Sequence, residues 1–292
     1  MHISPRLRAI LQALLVTFLW STSWIFIKRT LDEVPPLTFA GLRYTIAFLI
    51  LVPGLWRHQP EIRALSAKEW KLLILLGIVF YPVTQGGQFL ALSYLDAISL
   101  SLLFNFIPLL VAMFSIIVLR EIPSRLQWIG IAVFLFGVML YFFPISFANG
   151  RGTGLLFAAI NVVGAATASV LGRKINRDGT ISPLVVTGVS MGIGSFLLLG
   201  TGVAVQGLPP ISLSAWAVIG WLAVVNTAFA FILWNSSLQI LSAVESSIIN
   251  NMMLVQIAVL AWLFLGEQPT TRGLVGLAFA IVGVLLVNLK GR

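Results

Sequence analysis

Ten apolar stretches, each close to the roughly 20 residues that carry a helix across a bilayer, occupy nearly all of this chain. They run over residues 10–28, 37–56, 71–94, 97–119, 126–144, 153–172, 183–205, 214–238, 243–265 and 272–289. The links between them are too short to hold a soluble domain, so the hydrophobic core is the bundle itself. Charged residues make up 9% of the chain and hydrophobic residues 59%, against roughly 25% charged in a soluble domain. The pattern predicts an all-α polytopic membrane protein of ten transmembrane helices. Met1 to Arg8 precede an apolar run with no A-x-A site after it, which reads as an uncleaved first helix. Without cysteine there is neither a disulfide nor a thiolate metal site, and the sequence points to no metal and no cofactor.

A net charge of +9 raises the question of nucleic acid, and the positions of the cations answer it. With the N-terminus cytoplasmic, the inner segments hold Arg6, Arg8, Arg57, Arg63, Lys68, Lys71, Arg120, Arg125, Arg173, Lys174, Arg177, Lys290 and Arg292. The outer side holds Lys28, Arg29, Arg151 and Arg272, and Arg43 lies within the second helix. This is a positive-inside bias, which places both termini in the cytoplasm of a cell with its helices in the inner (plasma) membrane. The basic charge sets orientation, and no nucleic-acid partner is needed to explain it. Trp56, Trp70, Trp128 and Trp216 fall at helix ends, where interfacial anchors belong.

The two pentapeptides LREIP (119–123) and LGEQP (265–269) are separated by 146 residues, half of 292. The same offset relates Ala97 to Ala243, Ser101 to Ser247, Asn105 to Asn251, Glu121 to Glu267, Pro123 to Pro269, Gly130 to Gly276 and Gly137 to Gly283. Upstream, Ser66 and Trp70 pair with Ser212 and Trp216, and Pro36-Leu37 pairs with Pro183-Leu184 at an offset of 147. The chain therefore divides into a five-helix repeat over 1–147 and a second over 148–292, forming one integrated transmembrane domain. Five is odd, so the second copy enters the membrane from the opposite face, and the repeats are inverted. Glu121-x-Pro123 is then expected on the cytoplasmic side and Glu267-x-Pro269 outside. Secondary transporters share this plan, with substrate sites near the midplane between the repeats.

Ten helices in two halves, each half closing on a Glu-turn-Gly helix, with Arg43 in the second helix and Asn105-x-x-Pro108 in the fourth, resemble the EamA-like exporters of the drug/metabolite transporter superfamily. The resemblance covers essentially the whole chain. It implies efflux of small metabolites, most often amino acids, and the interior aromatics are most similar to those of an aromatic or neutral amino-acid exporter. One departure is Met253-Leu254, where members of the family often carry Glu-Pro in the ninth helix.

Near the helix centres lie Trp20, Tyr81, Gln85, Asn105, Asn161, Asn226, Asn250 and Asn251. Tyr81 and Gln85 share a helix face, as do Ser101 with Asn105 and Ser247 with Asn251. Amides at this depth either bond helix to helix or line a cavity. The convergence in both halves favours a central site lined by Trp20, Tyr81, Gln85, Asn105, Asn226 and Asn251. Pro82 with Gly86 and Gly87 interrupts the third stretch and Pro108 the fourth; each proline frees a carbonyl, so these positions are candidate hinges. No acidic residue is expected at the midplane, whereas proton-coupled exchange of cations needs one. Arg43 is the deepest ionised group and a candidate partner for a substrate carboxylate, with snorkelling to the outer face as the alternative. Gly188-x-x-x-Gly192 permits close helix approach, either within the chain or in a homodimer, so monomer and homodimer both stay open.

The expected partners are a small-molecule substrate and the lipid bilayer. The function read from these features is a secondary transporter exporting neutral or aromatic amino acids by alternating access. Efflux of hydrophobic drugs or other amphipathic metabolites is the alternative, with a channel or structural protein behind it. An enzyme is not expected, because His2 and His58, the only histidines, lie at the terminus and in a loop.

Overall fold

The computed structural model describes residues 5–107, 109–110, 125–143, 150–176, 181–238, 240 and 243–288. Pro108 and the Glu121-x-Pro123 turn lie outside the described residues. Every regular element among those described is helical. In chain order they are α1 (Pro5–Thr30), α2 (Pro36–Arg57), α3 (Gln59–Ala64), α4 (Ala67–Ile78), π1 (Val79–Gln85), α5 (Gly86–Tyr94) and α6 (Ala97–Phe104). Then follow α7 (Arg125–Phe142), α8 (Arg151–Asn176), α9 (Pro183–Gln206), α10 (Leu213–Ala223), π2 (Val224–Phe229), α11 (Ala230–Leu238), α12 (Ala243–Leu265) and α13 (Thr271–Asn288).

Among the described residues, five spans are long and apolar enough to cross a membrane: Pro5–Thr30, Pro36–Arg57, Ala67–Tyr94, Arg151–Gly172 and Pro183–Gln206. Shorter apolar helices cover Trp128–Phe142, Leu213–Phe229, Met252–Leu265 and Thr271–Gly283. The third and eighth apolar stretches each contain a π-helical turn between two α-helical parts. The six-residue α3, which has no buried residue, was not expected from the sequence. It is too short and too polar to show a periodicity.

The chain separates into two compact units, each drawing on both halves of the sequence. One comprises Met1–Phe26, Tyr94–Thr153 and Ala230–Arg292, and the other Ile27–Ser93 and Gly154–Phe229.

In the second unit α2 and α9 run antiparallel, because Thr38 meets Gly202, Gly41 meets Leu199, Phe48 meets Gly192 and Leu55 meets Gly188. Glycine removes the side chain that would hold the two backbones apart. A Cβ on Gly41 would fall 2.4 Å from the Leu199 Cα, and one on Gly188 would fall 2.6 Å from Leu55 Cδ2. The Gly188-x-x-x-Gly192 pair is thus occupied by contacts inside the chain. On another face of α9, Gly194 lies against Gly77 and the Tyr81 ring.

In the first unit α7 packs on α13 through the repeated glycines. Gly137 faces Gly276, and Gly283 faces Gly130 and Phe134. A shift of 146 carries Gly130 to Gly276 and Gly137 to Gly283, so each helix presents its two glycines to the opposite member of the other pair. Contacts of the form i to j and j to i mark a two-fold relation. The inverted repeat read from the sequence is therefore present in the packing of these two helices.

Five acidic residues, Glu33, Glu61, Glu69, Asp96 and Glu267, serve helix N-termini, where unpaired N–H groups and the helix dipole favour negative charge. Ser66 and Glu69 form a capping box on α4. Glu61 accepts the Ser182 N–H at the start of α9, and Glu33 accepts both the N–H and the hydroxyl of Ser212 at the start of α10. On α6, Asp96 accepts the Ser99 N–H at 2.6 Å, while Glu267 accepts the N–H groups of Ala97 at 2.8 Å and Ile98 at 3.1 Å. That accounts for LGEQP. Leu265 ends α12, Gly266 turns the chain at φ +69°, and Glu267 reaches across to close the first turn of α6.

Candidate substrate-binding site

The two π-turns place the most unusual polar groups of the second unit. Pro82 in π1 has no N–H to give to the helix, and the wider turn absorbs the gap. π2 carries no proline, yet it opens at Val224, one residue from where a shift of 146 would move Val79. A π-turn leaves carbonyls without their usual partners, and in both turns a threonine supplies the missing donor. The Thr84 hydroxyl donates to the Val79 carbonyl at 2.8 Å and the Thr227 hydroxyl to the Leu222 carbonyl at 2.9 Å.

A side chain from the other half of the sequence then reaches each turn. Asn161 of α8 donates through Nδ2 to the Thr84 carbonyl at 2.6 Å. Arg43 of α2 donates through Nε to the Thr227 hydroxyl at 3.0 Å. Arg43 is 6% exposed, so the guanidinium is enclosed and does not snorkel to a surface. Its Cζ lies 5.3 Å from the centroid of the Tyr44 ring. The Tyr44 hydroxyl donates to Gln85 Oε1 at 2.8 Å, and its ring meets Tyr81 edge to face with centroids 5.3 Å apart. Ser190 of α9 faces the Tyr81 hydroxyl. Arg43, Tyr44, Tyr81, Gln85 and Thr227 thereby form one cluster of a cation, two aromatic rings, an amide and a hydroxyl, buried except for the half-buried Gln85.

Of the residues expected from the sequence, Tyr81, Gln85 and Arg43 come together in this cluster. Asn226 is fully buried next to Thr227. Trp20 lies in the first unit, with its ring 5.7 Å from Phe231 and 5.3 Å from Trp234. Asn105 is in the same unit, caps the end of α6 and donates to the Ser101 carbonyl of its own helix at 2.9 Å. Asn251 belongs to α12, but its side chain lies outside the described residues. Gly86 and Gly87 are helical and allow close packing: a Cβ on Gly87 would stand 3.3 Å from the Phe157 carbonyl oxygen. Sequence reasoning missed Tyr44, Thr84 and Thr227. Thr84 and Thr227 are 143 residues apart rather than 146, so the repeat register hid their equivalence.

The sequence matches the EamA-like transporter family twice, over residues 7–143 and again over residues 152–289. The chain belongs to the EamA-like transporter family. Its two matches fall on the two repeats. As an EamA-like transporter it is a multi-pass membrane protein that works on a small-molecule substrate and is not an enzyme. It is 26% identical to YvbV, an uncharacterized transporter of Bacillus subtilis strain 168, over 99% of this chain and 94% of that protein. It is 24% identical to the S-adenosylmethionine/S-adenosylhomocysteine transporter of Chlamydia muridarum, over 96% of this chain and 91% of that one. Protein PecM of Dickeya dadantii is also 24% identical, over 92% and 88%. One crystal structure superposes with a TM-score of 0.67 at 22% identity over 96% of each chain, which supports the same fold.

Proposed function

We propose that this EamA-like transporter exports small neutral metabolites, foremost amino acids with apolar or aromatic side chains, by alternating access. The observation that carries the reading is the Tyr44–Gln85–Tyr81 cluster beside the buried Arg43, which offers ring faces to an apolar group and polar atoms to a charged end. No carboxylate belongs to the cluster among the described residues. A neutral amide suits a zwitterion, whose opposite charges also find helix-end dipoles. The Chlamydia relative is named for cargo that bears an α-amino carboxylate, the same chemical class.

In this reading the repeats exchange conformation to open the path to one side and then the other. Pro82, Gly86 and Gly87 around π1, and separately Pro108, are the proposed hinges in the first repeat. Tyr81 and Gln85 are the proposed cargo contacts, and Trp20, Asn105, Asn226 and Asn251 are to be tested singly in the same role. The proposed location is the inner (plasma) membrane with both termini cytoplasmic.

The experiment is counterflow of a radiolabelled amino-acid panel in proteoliposomes. Saturable flux of neutral or aromatic amino acids supports the proposal. Flux of lipophilic cations with none of the panel would overturn it and favour drug efflux, a second reading that the ring-rich cluster also fits.

A further inference from the structure

Arg43 is 6% exposed and yet has one hydrogen-bond partner, the Thr227 hydroxyl on Nε. Its terminal Nη groups bond to no other described residue, and no carboxylate among the described residues pairs with it. Burying a guanidinium costs several kcal/mol unless its charge is met, and a lone ionised residue inside a membrane bundle is retained for function. The Thr227 contact holds Nε, the inner edge of the planar fork, and leaves the paired N–H groups that fit a carboxylate side by side. The Tyr44 ring steadies the cation from one face at 5.3 Å but supplies no anion.

The repeat sharpens the point. At the offset of 147 that relates α2 to α9, the counterpart of Arg43 is the neutral Ser190. Ser190 faces Tyr81 of π1, so α9 reaches its π-turn with a neutral group where α2 brings a cation. Packing at this place does not require a charge. The cation is an addition on one side of the pseudo-symmetry, and a single guanidinium among aromatic rings suits one monovalent anion on an organic body. A dianionic phosphate would call for several cations.

We propose that Arg43 receives the carboxylate of the cargo through its Nη groups, with the Tyr44 and Tyr81 rings beside the apolar part. This rests on the reading above that the cargo is a small amphipathic metabolite, and it adds that the carboxylate, rather than the ammonium, is the recognised end. The test measures affinities of the purified full-length protein by titration calorimetry for three ligands of one shape. These are phenylalanine, 3-phenylpropionate, which lacks the ammonium, and phenethylamine, which lacks the carboxylate. Both carboxylates should bind and phenethylamine should not. Arg43→Gln should weaken the carboxylates about 10- to 100-fold, the value of a charge-assisted hydrogen bond or two, and Arg43→Lys should fall between. Binding of 3-phenylpropionate without phenylalanine upholds Arg43 while sinking the amino-acid reading. Equal binding of phenethylamine and phenylalanine, unchanged affinities in Arg43→Gln, or no carboxylate bound at all would overturn the role of Arg43. Should Arg43→Gln fail to fold, the three-ligand comparison on the wild type and the Arg43→Lys variant decide the matter.

Discussion

Gly137 and Gly276 press backbone against backbone, so that a Cβ on Gly137 would sit 2.6 Å from the Gly276 carbonyl oxygen and 2.5 Å from the Ala280 nitrogen. Neither neighbour is the end of a flexible side chain, and the contact has no room to give. Gly137→Ala is expected to lower stability by about 1–3 kcal/mol, the usual range for overpacking. Gly200→Ala and Gly220→Ala meet nothing within 4 Å and should be neutral or slightly stabilising, since alanine is the better helix former. Thermal melting in detergent compares the three. Equal melting temperatures would remove the claim that α7 and α13 meet through glycine.

Glu267 closes the first turn of α6 from a loop 170 residues away in sequence. Glu267→Ala should cost about 1–2 kcal/mol, as expected for a charged cap, and Glu267→Gln part of that. A full-length variant that melts like the wild type would show that Asp96 alone suffices.

Transport is expected to run down the cargo gradient without an obligatory proton. Five carboxylates, on Glu33, Glu61, Glu69, Asp96 and Glu267, are engaged at helix ends, away from the depth at which proton-coupled carriers hold theirs. Liposomes with and without an imposed pH gradient provide the check. Flux that vanishes without the gradient would contradict this expectation.

Both termini should be cytoplasmic. Glu33 with Ser212, and Glu61 with Ser182, pair ends of helices that the positive-inside count places on one side each: the first pair outside, the second inside. Reporter fusions after Arg292 and single cysteines at Leu31 and Ala64 in this cysteine-free chain test the assignment. Label from outside should reach position 31 and not 64, and the reverse pattern would invert the topology.

Pro82→Ala restores a donor to π1. We expect transport to slow while the melting temperature holds or rises, because a regular helix is the more stable state and the proposed hinge would lose its wide turn. A fall in both would make the turn a packing feature.

The architecture was legible because membrane helices announce themselves by length: the span expected over 243–265 coincides with Ala243–Leu265, and that over 183–205 with Pro183–Gln206. The repeat was legible because glycine, proline and glutamate are costly to place by chance. The π-turns were not, since the bond pattern of π2 leaves no residue as diagnostic as Pro82. Side-chain partners were equally hidden. Nothing in the sequence distinguished Asn105, which bonds its own helix, from Asn161, which crosses to another, because both are amides at similar depth. Arg43 was visible as a charge, but whether it reached the surface depended on Thr227 and Tyr44, which only the folded chain brings alongside it.

The caps that join distant helices also impose a schedule on synthesis. Asp96 can serve Ser99 as soon as both have left the ribosome, but Ala97 and Ile98 must wait for Glu267, 170 and 169 residues later. At about 5–20 residues per second that is a delay of roughly 10 to 30 seconds. Over the same interval Glu33, made early, waits for Ser212. The nascent chain therefore carries helix ends with open donors and carboxylates with no donors through most of its insertion. Whatever shelters a growing membrane protein must tolerate both until the last loops emerge.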